Sequence, residues 1–600
     1  MSVMRDLRKS GVMVMKSSKV IVDSYLKNED WRVKENSNAT PSFGALNKYI
    51  DAEVSKDYWL HNVYPEEIAK AYVDGYIHIH DLGGLSLYCC GYSLRDILLK
   101  GVRGVPNIPV SSPAKHFDSV LNQCANLVTV FQNEIMGAVA FNGFDTLLAP
   151  FIKHDKLTYE EVKQNIQNFV YSVNSNSRAG AEPAFFNLTF DLTPPADMLN
   201  EYAIIGGELV SFTYGSCQQE MDLLNRVFYE VMLNGDANGK LFAYPIPTYN
   251  IHSRFDWDNP NNKLLWEMAG KYGTPYFANF INSDLDISDV RSMCCRLRLD
   301  LNELRHRNGG LFGAGDSTGS IGVVTLNLPR IGYENKGDKT AFYLSLEHYL
   351  DIAKQSLEIK RQWLQENILD KRLIPAYLEY VGTINNHFST IGIVGMNEMC
   401  ENFMGKNILD NEAHQFCHDI SEFIRAKLLQ YQDETGHLYN YEATPAESTC
   451  YRFALLDKKE YPDIITQGSG KDCYYTNSCH IPVALLTDIN TTFAHQDDLQ
   501  TQFTGGTVIH VWLEGGISGD HAKQIVKSMF EHYRVPYMSL SPISRYCDEH
   551  GYVKEVVDKC PICKKRLKLY QRITGYLRCV DNFNRGKAAE FRDRVQASVQ

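Results

Sequence analysis

The chain has 600 residues, 44% hydrophobic and 22% charged, which is enough apolar material for a large folded core. A net charge of -12 leaves no basic surplus for a general nucleic-acid coat. Fifteen cysteines over this length do not form a secreted disulfide framework; they point to metal ligands, redox groups or small buried residues in a reducing compartment. No apolar run is long enough to span a bilayer and no leader pattern is present, so a soluble, cytoplasmic protein is expected, with neither membrane nor nucleic acid as partner.

Residues 1–35 read as a polar, helical extension, and residues 31–41 as an extended lead-in. Strand-like runs follow at 76–80, 185–191, 242–250, 321–328, 390–395, 507–512 and 537–541. Helical periodicity is read near 111–140, 217–234, 340–368, 411–432 and 519–534. This alternation predicts an α/β core with largely parallel strands. Length alone would allow several domains, but also one large barrel with insertions. From residue 543 the pattern changes to short, cysteine-punctuated turns, which predicts a small C-terminal module.

The first chemical motif in chain order is Cys89-Cys90, which follows the strand-like run carrying His78 and His80. A second doublet, Cys294-Cys295, follows Met293. Either doublet alone is weak, because a buried free cysteine is an ordinary small hydrophobe. A glycine-rich segment, 308–320, leads into a strand and ends at Ser320; its glycines would let backbone approach a ligand. Thr444-Pro445-Ala446-Glu447-Ser448 stands before a helical stretch, where backbone N–H groups can hold phosphate or simply cap the helix. Cys547 and His550 form a C-x2-H pair, and Cys560 and Cys563 a C-x2-C pair. Thiolates and imidazole at these spacings can close a four-ligand tetrahedral Zn2+ site, which is structural rather than catalytic. The last motif is Arg572-Ile573-Thr574-Gly575-Tyr576, followed by Asn584-Arg585-Gly586-Lys587. Only a glycine Cα can lose hydrogen and leave an uncrowded planar centre shared by its amide nitrogen and carbonyl.

Taken together, these blocks resemble the anaerobic (class III) ribonucleoside-triphosphate reductases, a glycyl-radical family. The matching text runs from about residue 30 to the end: GYIHIHDL with its CC pair, FAYPIPTYN, MCCR, GSIGVVTLNLPRI, ATPAES, CYRF, YYTNS and RITGY with NRGK. The resemblance implies a ten-stranded α/β barrel over 36–542 with a finger loop near 290–296. It further implies a zinc-binding module at 543–567, and a glycyl-radical loop with a C-terminal helix at 568–600. Position by position, it implies that Gly575 stores the radical and that Cys295 forms the transient thiyl radical. Cys89 would donate hydrogen from the opposite strand. Cys547, His550, Cys560 and Cys563 would hold Zn2+. Thr444 to Ser448 would hold the phosphate end of a ribonucleoside triphosphate, with His78 and His80 as further substrate contacts. Activation by a radical-SAM enzyme carrying a 4Fe-4S cluster, dNTP and ATP effectors and a homodimer are implied in the same way, with the helix near 111–140 as a candidate dimer and effector element.

Two departures shape the expectation. Formate-using members carry an asparagine where this chain has Ser320, although their methionine is present as Met293. The extra thiol of Cys294 is typical of the branch reduced by a thioredoxin- or glutaredoxin-like protein. Cys89 with Cys294 or Cys90 could close the disulfide that such a redoxin reopens. The short segment before residue 35 leaves no room for a nucleotide-binding cone domain of roughly a hundred residues. Competing readings are an acyltransferase of the pyruvate formate-lyase type, against which the separate Cys89 counts, and a zinc-ribbon nucleic-acid binder, against which the acidic charge counts.

Overall fold

In a computed structural model of the chain, the described residues are 16–27, 42–106, 108–175, 183–282, 290–292, 298–300, 317–486 and 488–597. Met293, Cys294 and Cys295 therefore lie outside the described residues, as does most of the glycine-rich segment before residue 317.

Ten strands make the central wall. They are β1 (Cys89–Tyr92), β2 (Val139–Phe141), β3 (Phe186–Phe190), β4 (Ile246–His252), β5 (Tyr276–Phe280), β6 (Gly319–Asn327), β7 (His387–Val394), β8 (Leu438–Glu442), β9 (Ile509–Leu513) and β10 (Tyr537–Pro542). Their spatial order is β8-β7-β6-β1-β2-β3-β4-β5-β10-β9, and the short strand Ile77–Ile79 pairs antiparallel to β6 on the side. Strands β1 to β5 run parallel to one another, and so do β6 to β8 and β9 with β10. The junctions β1–β6 and β5–β10 are antiparallel. The remaining gap, between β8 and β9, is closed by the approach to β9. There Gly505 N–H donates to Tyr441 O, Ala443 N–H to Gly506 O, and Glu442 bridges Gly506 in parallel. The wall is thus a barrel made of two parallel halves set antiparallel.

Parallel strands covered on both faces are normally apolar throughout. These are not. In β7, Ile391 and Ile393 enter the outer core, while Thr390 and Gly392 alternate with them on the inside. In β4, Tyr249 and Ile251 belong to the outer core and Thr248 and Asn250 do not. The outer face is covered by helices α1 (Phe117–Gln132), α2 (Gln218–Asn234), α3 (Lys339–Leu364), α4 (Asn411–Thr435) and α6 (Gly519–His532), while α5 (Glu447–Glu460) follows β8. Side-chain caps start several of them: Asp338 accepts from Ala341 N–H, Asp410 from Glu412 and Ala413 N–H, and Ser518 from His521 N–H. The inner face of the wall therefore carries polar side chains.

The expected helix at 111–140 is shorter than the sequence pattern suggested. α1 stops at Gln132, and Val139–Phe141 turns out to be a barrel strand. Three apolar residues carry too little period to separate a buried strand from a helix end. Among the described residues, no helix is long and apolar enough to cross a membrane.

The C-terminal part forms a second, four-stranded antiparallel sheet: β11 (Ser544–Cys547), β12 (Gly551–Val553), β13 (Lys568–Arg572) and β14 (Leu577–Cys579), in the order β12-β11-β13-β14. Helix α7 (Arg585–Asp593) follows, capped by Asn584.

Strand β1 fits against β6 only because position 319 has no side chain. A Cβ on Gly319 would lie 2.1 Å from Cys89 O and 3.0 Å from His387 Nε2. Gly319→Ala is expected to lower stability by ~1–3 kcal/mol through this forced backbone shift, measured by urea unfolding.

Candidate active site at the mouth of the barrel

Gly575 lies at the tip of the β13–β14 hairpin, in the four-residue turn closed by Ile573 N–H donating to Tyr576 O. Both polar groups of this glycine are engaged. Its N–H donates to Glu447 Oε1 at 3.1 Å, and its carbonyl accepts from the Tyr276 hydroxyl. Glu447 is the first residue of α5, and Tyr276 the first residue of β5. The tip thus sits where the end of one half-barrel meets the start of the other. Tyr576 packs beside Phe185, with ring centroids 5.9 Å apart, in a small cluster with Tyr244, Tyr276 and Val508.

Two arginines fix the hairpin. Arg572 is buried, donates to the carbonyls of Gly273 and Thr274 at 2.7 and 2.8 Å, and lies over the Tyr276 ring at 3.8 Å. Arg594, past the end of α7, donates to Arg572 O at 2.9 Å and Ile573 O at 3.0 Å, and its guanidinium stacks on Trp512 at 3.7 Å. Glu590 answers Arg594 at 2.8 Å and also holds Lys587. These two cations hold the buried Glu590 carboxyl below its usual range against the cost of its burial. A cavity of about 60 Å³ beside the hairpin is lined by Thr574, His480, His510, Trp512, Lys587 and Glu590, among others.

The two residues of the first doublet face opposite ways. Cys90 belongs to the outer core beside Tyr92, and its thiol is bonded to Gly91 O at 3.2 Å. Burial pushes that thiol far up in pKa. Cys89 is fully buried yet outside that core cluster, on the inner side of β1 opposite Ser320. Cys90, the alternative disulfide partner of Cys89, thus faces the outer core, because side chains alternate along the strand. Ser320 commits its hydroxyl to Gly322 O at 3.0 Å and Thr390 Oγ1 at 2.9 Å.

Of the expected phosphate segment, Thr444 and Ala446 are buried and Pro445 and Ser448 partly exposed. Thr444 Oγ1 has no hydrogen-bond partner among the described residues. Glu447, expected at substrate phosphate, turns its carboxylate to Gly575 instead. His80 Nε2 contacts Thr325 Oγ1 at 2.8 Å, and His78 stacks edge-on against His80 at 4.6 Å. Burial, then Lys360 and Arg452, hold the His80 pKa down to about 3, and burial, then His80 and Arg452, lower that of His78. Sequence reasoning gave no role to Tyr276 or Arg594; Arg572 and Lys587 appeared only as members of the RITGY and NRGK text.

Cys547, His550, Cys560 and Cys563 offer ligand atoms within 4.8 Å of one another. Cys547 Sγ is 3.6 Å from His550 Nδ1 and 3.6 Å from Cys563 Sγ, and Cys560 Sγ is 3.6 Å from His550 Nδ1. Tetrahedral Zn2+ with its usual bond lengths separates ligands by about 3.5–3.8 Å, so the donor set fits. Cys547 ends β11, and Cys560 sits in the turn before β13, so a metal here would tie together the two strands that lead to the hairpin.

The fold of this wall is found in solved structures of a reductase and of a dehydratase. A solved anaerobic ribonucleotide reductase superposes with a TM-score of 0.77 at 21% identity, covering 96% of this chain and 94% of that one. The Thermotoga maritima anaerobic ribonucleotide reductase with dATP bound in the specificity site gives 0.76 at 20% identity, covering 97% and 98%. A hydroxyproline dehydratase from Clostridioides difficile gives 0.56 at 12%, covering 95% and 88%. The family model of the anaerobic ribonucleoside-triphosphate reductases matches residues 35–596, and this chain belongs to that family. Among curated relatives, the anaerobic ribonucleoside-triphosphate reductase of Escherichia coli K12 is 26% identical over 593 residues, covering 90% of this chain and 80% of the relative. That of phage T4 is 23% identical over 634 residues, covering 94% and 97%. The chain is an enzyme of anaerobic ribonucleotide reduction.

The buried histidines give a pH dependence. His80 stays neutral in the fold until about pH 3, whereas an unfolded histidine takes its proton near 6.5. Its contribution to stability is complete above pH 6.5 and is lost as pH falls towards 3. Lys360 and Arg452 repel the added proton, so the urea midpoint should drop over this window, and less so in His80→Gln. Metal analysis should find about one zinc per chain, and Cys560→Ser should lose it.

Proposed function

We propose that the chain reduces ribonucleoside triphosphates to 2′-deoxyribonucleoside triphosphates by glycyl and thiyl radical chemistry. The observation that carries this reading is the double hold on Gly575. Loss of hydrogen from its Cα leaves an unpaired electron shared between the amide nitrogen and the carbonyl. A carboxylate at the N–H strengthens electron donation from nitrogen, and a phenol at the carbonyl strengthens withdrawal by oxygen. Glu447 and Tyr276 stand at those two places, so the hairpin tip is suited to storing a radical.

In this reading Cys295 receives the unpaired electron and, as a thiyl radical, removes the 3′ hydrogen of the ribose. Cys89, on the inner wall, supplies hydrogen as the 2′-hydroxyl leaves as water. Thr444, with its unpartnered hydroxyl at the end of β8, and the start of α5 receive phosphate. His78 and His80, neutral and beside Thr325, border the same interior. The zinc site braces the base of the hairpin. A radical-SAM enzyme with a 4Fe-4S cluster installs the radical under anaerobic conditions.

A thioredoxin- or glutaredoxin-like protein is the reductant in this scheme. Its support is Ser320, whose hydroxyl is already spent on Gly322 and Thr390 and which lacks the donors an amide would give formate. The Thermotoga maritima relative carries dATP in a specificity site. By that likeness substrate choice in this chain is set by dNTP or ATP; the homodimer, with α1 as the candidate contact, is carried over from the family resemblance alone. Acyl transfer of the pyruvate formate-lyase type is the weaker reading, because Cys89 would have no work in it.

Anaerobic activation should give an EPR doublet split by the remaining Cα hydrogen, followed by NTP reduction with a redoxin system and little stimulation by formate. Gly575→Ala should abolish the doublet. Cys89→Ser should keep the doublet and reduce turnover at least a hundredfold, in line with loss of one catalytic group. Persistence of the doublet in Gly575→Ala would sink the assignment.

A further inference from the structure

Strand β8 turns its aromatic residues outward: Tyr439, Tyr441 and, just past the strand, Ala443 belong to the outer core. Alternation then points Asn440 inward, and Thr444 lies on the same side, over the inward Gly392. Asn440 is 1% exposed. Neither its amide nitrogen nor its amide oxygen has a hydrogen-bond partner among the described residues. A buried amide with its donors and its acceptor all unused is uncommon in a native fold, because leaving such groups dry is destabilising.

The surrounding wall makes room for this amide without pairing it. Its cross-strand neighbour on β7 is Thr390, whose hydroxyl is joined to that of Ser320 at 2.9 Å. Further along, Thr325 Oγ1 is taken by His80 Nε2 at 2.8 Å. On the other side runs the segment that closes the barrel. There a Cβ on Gly505 would stand 2.9 Å from Asn440 Cγ and 3.1 Å from its Nδ2, so the absence of a side chain at 505 leaves the amide its place. The hydroxyls of Ser320, Thr390 and Thr325 are thus engaged within the wall, whereas Asn440 and the Thr444 hydroxyl are not. Position shows what the amide can reach. Ser320 pairs with Cys89, so Cys89, Ser320, Thr390 and Asn440 follow one another on four adjacent strands. Three strand spacings, about 14 Å along the wall, separate thiol and amide, and the chord across a closed barrel is shorter. Thr444 stands four residues down the chain from Asn440, about 13 Å. A nucleoside triphosphate with its phosphate end at Thr444 and its sugar beside Cys89 brings its ribose hydroxyls to Asn440. A hydroxyl both donates and accepts, which matches an amide with both functions open.

We infer that Asn440 is a substrate-binding residue of the inner wall, whose amide hydrogen-bonds a ribose hydroxyl of the nucleotide held beside Cys89 and so favours a ribonucleotide over its deoxy counterpart. This rests on the reading of the barrel interior as the ribonucleoside-triphosphate site. A nucleotide that lacks the hydroxyl leaves the buried amide as dry as it is in the empty wall, so the contact discriminates as well as holds. An apolar side chain of the same branched shape would suit the fold alone at least as well, and the amide serves the ligand.

The test uses the resting, full-length enzyme without radical, kept in saturating dATP so that effector sites are filled. Binding of labelled CTP is measured by equilibrium dialysis, and that of 2′,3′-dideoxy-CTP by competition, in wild type, Asn440→Leu and Asn440→Ala. In Asn440→Leu the affinity for CTP should fall at least about tenfold, while that for the dideoxy analogue matches wild type. The melting temperature of this variant should hold or rise, because exchanging a dry amide for an apolar group is neutral to favourable. Unchanged CTP binding overturns the inference. So does an equal loss for both nucleotides, which marks a disturbed wall rather than a lost hydroxyl contact. If Asn440→Leu does not fold, Asn440→Ala decides by the same two affinities. A wild type that prefers CTP to its dideoxy analogue through Asn440, yet reduces no NTP once activated, counts against the radical chemistry of the proposed function and not against this contact. A wild type without that preference overturns the contact, whatever its turnover.

Discussion

A hairpin tip held at the mouth of a closed barrel is partly withdrawn from water, and its backbone polar groups need partners there. Leaving them unpaired would weaken its seat. At Gly575 the partners are a carboxylate from the half-barrel that ends at the mouth and a phenol from the half that begins there. The antiparallel setting of the two halves is what brings a strand end and a strand start to the same rim. The hairpin's position depends on that setting, and the rest of the C-terminal part serves to hold it.

That support is built from charge rather than bulk. Arg572 and Arg594 reach backbone carbonyls of the hairpin and of the segment before β5, where planar guanidinium groups serve several acceptors at once. Each also covers an aromatic face. Glu590 keeps Arg594 and Lys587 from being uncompensated buried cations. Inside the barrel too, polar side chains of the wall alternate with its apolar outer face.

Much of this was legible in the sequence. β3, β4, β6, β7, β9 and β10 announce themselves as apolar runs, and α2, α3, α4 and α6 keep a helical period from end to end. β1, β2 and β5 did not read as strands by pattern, and β8 only as an unbounded strand before the Thr444 segment. β2 is three residues long, and β8 alternates Tyr439 and Tyr441 outward with Asn440 and Glu442 inward, which lowers its apparent hydrophobicity. The zinc ligands were legible because local spacing alone brings them together in pairs. The hold on the glycine was not: Glu447 is 128 residues from Gly575 and Tyr276 is 299 residues away. Cys90 was the opposite case, a thiol whose neighbour made it look functional and whose strand position turns it into core.

The joint between β8 and β9 has a mechanical consequence. It is stitched by the few bonds of residues 504–506, and the antiparallel junctions β1–β6 and β5–β10 are as short, each pairing two positions. A ring under load yields at its short splices, while the parallel ladders between them hold their register. The wall is thus three stiff arcs joined at three compliant seams, and one of those seams borders the cavity beside Thr574.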